Sequence, residues 1–155
     1  MRLSQMEVSY SQLAVFHSAL ASPFNDWTNT HVAQGFSWRP GSVSFRTLEQ
    51  AGPIDVDVVR SAADVDASPA KRIIAVPFEV DATGDVEVAT ISAGQPLRLP
   101  PGRYRLTFEH GVTAEGVMWA RLSFEPVEAA ATPSVVKADA ELSPPANLLM
   151  DAEPA

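Results

Sequence analysis

The chain has 155 residues, 46% of them hydrophobic, and a formal net charge of −8 from 19 acids against 11 bases. That length suits one domain around a single buried core, and no apolar run approaches the ~20 residues that cross a bilayer. The acidic balance argues against direct nucleic-acid binding, which needs clustered Lys and Arg. The absence of cysteine excludes disulfides, a thiolate nucleophile and a cysteine metal site.

The first seven residues hold Arg2 and Glu7 and no continuous apolar stretch, so no signal peptide is expected. These features together fit a cytoplasmic protein. Solubility is the ordinary explanation of an acidic chain, although such a charge also attracts a basic partner.

Residues 8–16 form the first predicted strand. Val8 and Tyr10 share one face whereas Leu13 and Val15 share the other, so a bulge is expected near Ser11-Gln12. Residues 27–34 are the one helical candidate, with Asn25 or Asp26 as N-cap and Gly35 as the stop. So short a helix must be held by packing. Trp27 and His31, four apart, would share one side of it, leaving Thr28 and Val32 for the core. A turn at Arg39-Pro40-Gly41 then leads into a strand over 43–48.

Period-two alternation dominates the remainder. Ile54, Val56 and Val58 alternate with Asp55 and Asp57. Pro77 interrupts a run over 73–80, which predicts an edge or a bulge there. Residues 81–85 carry turn chemistry and predict a hairpin to the strand over 86–91. A short strand at 97–99 and the turn Pro100-Pro101-Gly102 lead into a strand over 103–109, and a last one covers 117–124. Tyr104, Leu106, Phe108, Leu122 and Phe124 lie on the apolar phase and are expected inside. Trp119 is out of phase with that set. About eight short strands with hardly any helix predict an all-β antiparallel β-sandwich over residues 1–126.

Composition changes after Pro126. Residues 127–155 are rich in Ala and Pro, lack aromatics, and carry five acids against Lys137 alone, a net of −4 that is half the chain's charge. Such a segment is expected to be a disordered tail, and truncation after Val127 to leave the melting temperature nearly unchanged.

No catalytic constellation is present: no Gly-x-Ser-x-Gly elbow, no glycine-rich phosphate loop, no His-Glu-x-x-His. No cofactor is implied. His17 closes a strand, His31 sits in the helix and His110 is read as preceding a turn. A metal site from His17, His31 and Asp26 is conceivable, but metal ligands are usually spaced more tightly, so surface or capping roles are expected instead. Asp55/Asp57 and Asp85/Glu87 read as solvated strand positions. For Asp26-Trp27-Thr28 the plain reading is a helix cap and a core plug; the functional one makes Trp27 an interface anchor, because Trp is enriched at binding hot spots. Trp38 could pack on Trp27 or be exposed. Trp119 either lies under a loop or tail or offers an aromatic surface to a partner.

The string Val8-Ser9-Tyr10-Ser11-Gln12-Leu13-Ala14-Val15-Phe16, followed by Asn25-Asp26-Trp27-Thr28, Gly35-Phe36 and Val43-Ser44-Phe45, resembles the start of the competence protein J family. These are small bacterial proteins described as inhibitors of a DNA-entry nuclease. Val76-Pro77-Phe78-Glu79-Val80 and the stretch from Leu97 through Pro100-Pro101-Gly102-Arg103-Tyr104 to Thr107 look similar as well, whereas the Ala- and Pro-rich tail falls outside the resemblance. The resemblance implies a non-enzymatic partner of a bacterial DNA nuclease that restrains its cutting of incoming DNA by binding its basic active-site face. No catalytic residues carry over; Asp26, Trp27, His31, Trp38 and Trp119 are the expected partner-binding residues. An immunity protein against a related nuclease toxin is a close variant. A general β-sandwich ligand-binding or interaction module is the alternative from another class, and an enzyme ranks last.

Overall fold

The computed structural model describes residues 1–60 and 69–155. Tyr10 and Ser11 take successive left-handed conformations, φ 55° and 57°, and this reversal cuts the first predicted strand in two. β1 (Met6–Val8) pairs with β5 (Gly52–Val59), whereas β2 (Gln12–His17) pairs with β4 (Ser42–Arg46) and β7 (Asp85–Ala89) in a second sheet. The expected bulge is therefore a transfer between sheets. Each half keeps its apolar face inward only by changing layer, which is why the phase flips.

The remaining strands are β3 (Phe36–Arg39), β6 (Arg72–Val80), β8 (Gly94–Arg98), β9 (Gly102–Val112), β10 (Met118–Pro126) and β11 (Ser134–Lys137), with one helix, α1 (Asn29–Gln34). One sheet has the order β1-β5-β10-β9-β6-β11 and the other β3-β4-β2-β7-β8. The all-β prediction holds, with eleven strands among the described residues rather than about eight. The additions are the split first strand, β3 and β11. The pairings are antiparallel except β5 with β10, where Met118 lies opposite Ile54 in parallel register. Residues 81–85 do not close a hairpin: β6 and β7 belong to different sheets. Pro77 lies beyond the β11 pairing, which reaches only Ala75, so β6 is an edge there as expected.

One apolar core fills the space between the sheets. Phe45 of β4 and Phe108 of β9 meet across it, stacked 4.5 Å apart at 6°. Tyr104, Leu106, Phe108, Leu122 and Phe124 are all buried, as their phase requires, each burial contributing roughly 1.5–3 kcal/mol. β2 is covered on both faces, because Ala14 and Phe16 form a second small cluster with Ala89, Leu20 and Phe24.

The segment after Pro126, expected to be disordered, lies along the domain as a strap. β11 adds to the β6 edge. Asp139 grips the fully buried Arg72 through both carboxylate oxygens, at 2.7 and 3.0 Å. Leu142 enters the main core beside Gly35, where a Cβ would come within 3.0 Å of Ile74 Cδ1 and 3.1 Å of Leu142 Cδ1. Gln34 donates to Leu149 O and accepts from Leu149 N, and Ala152 N donates to Trp38 O. A few well-placed residues, rather than bulk apolar content, hold the strap, and composition cannot register them.

Candidate partner-binding site

The loop before α1 positions Asp26 and Trp27. Asn25 is buried and its amide donates to Ser37 O and Ser42 O at 2.8 and 3.2 Å, tying the loop to β3 and β4. Thr28, not Asn25 or Asp26, caps the helix. Its hydroxyl accepts from His31 N, and the His31 ring Nδ1 accepts from Thr28 N at 3.0 Å, a reciprocal capping box. Trp27 therefore precedes the helix and does not share a helical side with His31. The two faces are also exchanged: His31 and Gln34 are buried while Val32 is exposed. Gly35 closes α1 at φ 91°. Thr28→Ala removes the cap hydroxyl and is expected to cost about 1 kcal/mol, read as a shift of the urea midpoint at constant slope.

With Nδ1 accepting, the proton of the neutral ring sits on Nε2, which is buried and without a partner among the described residues. Burial lowers the His31 pKa below 6.5, against the opposing pull of Asp151 and Asp26. Trp27 is half-buried, and its indole N–H is likewise buried without a partner among the described residues. Asp26 is exposed, and its backbone N–H donates to Glu153 O at 2.7 Å. The C-terminal strap thus runs directly beside this loop.

Trp38, on β3, donates its indole N–H to Pro77 O at 2.8 Å and so bridges the two sheets. It lines a groove of about 490 Å³ with Pro40, Pro77, Phe78, Tyr104 and His17. His17 Nε2 donates to Glu79 O at 2.5 Å, and Nδ1 lies 3.6 Å from the Asp81 carboxylate. Hydrogen bonds from Thr83 lower the Asp81 pKa, and His17 acts in the same direction. Tyr104 donates its hydroxyl to Pro100 O, four residues upstream, at 2.6 Å. The sequence signal for this corner is the Pro-Pro-Gly-x-Tyr stretch, which specifies a strand entrance but carries no sign of a groove wall.

Trp119 stands apart from these residues. Met118 and Ala120 face the core, so Trp119 lies on the outward face of the six-stranded sheet, where it covers Gly111; a Cβ there would come within 2.7 Å of its Nε1. The structure thus brings Asp26, Trp27 and His31 together beside β3 and leaves Trp119 elsewhere. His110 is not at a turn but fully buried within β9, donating from Nδ1 to Trp119 O at 2.7 Å and accepting from Leu48 N at 2.9 Å. His17, His31 and Asp26 form no three-ligand cluster, and no group of that kind occurs among the described residues. Among them, too, no helix is long and apolar enough to cross a membrane.

Residues 5–127 match the family described as Competence protein J (ComJ). The chain is 27% identical over 103 residues to the DNA-entry nuclease inhibitor of Bacillus subtilis (strain 168), covering 66% of this chain and 76% of that protein. Its fold is similar to the crystal structure of ComJ, inhibitor of the DNA degrading activity of NucA, from Bacillus subtilis. The TM-score is 0.69 at 20% identity, over 82% of this chain and 98% of that one. A second solved structure, that of Crocagin biosynthetic gene J, aligns with a TM-score of 0.50 at 17% identity over 79% of this chain and 94% of that one. The sandwich, its strand phases and the match over residues 5–127 agree: the chain belongs to the competence protein J family.

Proposed function

We propose that this chain is a non-enzymatic inhibitor of a DNA-degrading, competence-type nuclease, acting in the cytoplasm by binding the enzyme's basic active-site face. The observation that carries this reading is the family match over residues 5–127, together with the relative named a DNA-entry nuclease inhibitor. The site chemistry is compatible with it. An inhibitor needs a surface rather than a reacting group, and the loop at Asp26-Trp27 offers an exposed carboxylate beside a half-exposed indole. A net charge of −8 favours encounter with a basic surface.

The test is the cutting of linear duplex DNA by the competence-type nuclease of the same organism, measured against rising concentrations of the chain. Cutting should fall to near zero at a small molar excess, and the chain alone should not retard DNA. Trp27→Ala should raise the concentration for half-inhibition roughly 30-fold, the effect of losing a hot spot of about 2 kcal/mol, while the β spectrum is kept. Undiminished cutting at large excess, or tight DNA binding by the chain itself, would defeat the reading.

The groove beside Trp38 favours a second reading, a ligand-binding module. Its volume lies within the range of small-molecule sites, and its walls are largely aromatic and proline. Under that reading the nuclease is unaffected, and Trp38→Ala, not Trp27→Ala, changes the measured binding.

A further inference from the structure

Resting on the inhibitor reading, we propose that the strap supplies half of the docking face, with Asp151 and Glu153 joining Asp26 around Trp27 to receive basic side chains of the nuclease. The strap is built into this surface as an added strand-like segment. Asp26 N donates to Glu153 O, Ala152 N donates to Trp38 O, Asn25 bridges to Pro154, and Ala155 N donates to Phe24 O. Ala152 is buried, and its neighbours Asp151 and Glu153 are exposed. The alternation of an extended segment therefore turns both carboxylates outward while the backbone between them is pinned.

Two further groups point to a partner at this place. His31 is 3% exposed; its Nδ1 end is used by Thr28 N, and its Nε2 end has no partner among the described residues. The charges acting on that ring are Asp151 and Asp26. The buried indole N–H of Trp27 is also unpartnered among the described residues. A buried N–H left unpaired is costly, and it becomes useful where an incoming carbonyl or carboxylate can accept from it. Both donors are buried in the free chain and become reachable to a carbonyl only where docking shifts the loop; the surface that meets the Lys and Arg of the partner is the three outward carboxylates beside the half-exposed Trp27 ring. The family match ends at residue 127, so this part of the face belongs to the strap of this chain and lies outside the matched region.

The experiment measures association of the full-length chain with the competence-type nuclease of the same organism, by stopped-flow fluorescence at low and high NaCl. The variants are Asp151→Asn/Glu153→Gln and, as a charge-matched control outside the face, Glu115→Gln/Glu125→Gln. The strap variant should associate roughly 5- to 10-fold more slowly at low salt, the gap closing at high salt as screening removes the steering. It should keep the wild-type melting temperature, since neither altered side chain is buried. The control should associate at the wild-type rate. Wild-type association by the strap variant, or equal slowing by the control, overturns this inference and leaves the inhibitor reading standing. Failure of the wild-type chain itself to bind overturns that reading and this inference with it.

Discussion

Asp139→Ala should lower the stability of the chain by about 3 kcal/mol. The Arg72 guanidinium is fully buried, and Asp139 supplies it with two charge-assisted hydrogen bonds, at 2.7 and 3.0 Å; the third partner is Arg46 O at 2.7 Å. Removing the carboxylate leaves a buried charge with one carbonyl and the more distant Glu141, 3.7 Å away and half exposed. Glu141 softens the loss, which places it at the low end of the range for breaking a buried pair. The melting temperature should fall by roughly 6–12 °C for a chain of this size. Arg72→Met/Asp139→Leu should recover most of that loss, because it removes the stranded charge along with its partner. A loss under about 0.5 kcal/mol for Asp139→Ala would mean that the strap is released in solution. Truncation after Val127, which composition alone predicts to be silent, is for the same reason expected to destabilise.

Acid should destabilise the fold well before its carboxylates are protonated, through His110. Burial lowers its pKa from 6.5 to about 4, Arg72 pushes the same way, and the hydrogen bond to Trp119 O and the charge of Asp139 oppose them. The neutral ring is the form that fits, since Nδ1 donates to Trp119 O and Nε2 accepts from Leu48 N. The unfolded chain binds a proton as pH falls through 6.5, whereas the folded chain resists until about 4. Stability is therefore fully present above pH 6.5, declines between 6.5 and 4, and from this group alone the loss amounts to about 3 kcal/mol. Urea midpoints between pH 8 and pH 4.5 measure it. His110→Gln should cost about 2 kcal/mol at pH 8, for the imperfectly replaced hydrogen bonds, and should remove most of the slope. Because Asp139 raises the proton affinity of this ring, the two substitutions should not be additive.

The site was legible only in part. Asp26, Trp27 and His31 were placed on one element by the Asn-Asp-Trp-Thr string, and they do lie together. The cap differs from expectation, Thr28 in place of Asn25 or Asp26, because several residues in that string can cap a helix. The choice of Thr28 depends on the His31 ring reaching back to its amide, a contact that spacing allows but does not require. The phase of Trp119 is evident in the sequence, but the glycine it covers lies on the neighbouring strand, and pairing register decides that contact. His110 beside Gly111 has the composition of a turn, yet β9 continues to Val112, where β10 pairs with it through Met118 opposite Val112.

Local chemistry in the sequence was sufficient for the all-β class, the inward set Tyr104, Leu106, Phe108, Leu122 and Phe124, the edge position of Pro77 and the helix stop at Gly35. Each depends on neighbours two to four residues away, where alternation and backbone preference act directly. Only the tertiary structure decided which strands share a sheet, the parallel pairing of β5 with β10, and the capture of the strap. Alternation specifies a buried face but is blind to the partner that covers it. The strap is held by single long-range contacts, Asp139 on Arg72 and Leu149 on Gln34, separated by 67 and 115 residues. Such contacts leave no periodic or compositional trace, because their energy comes from one buried charge and one buried amide finding partners across the fold.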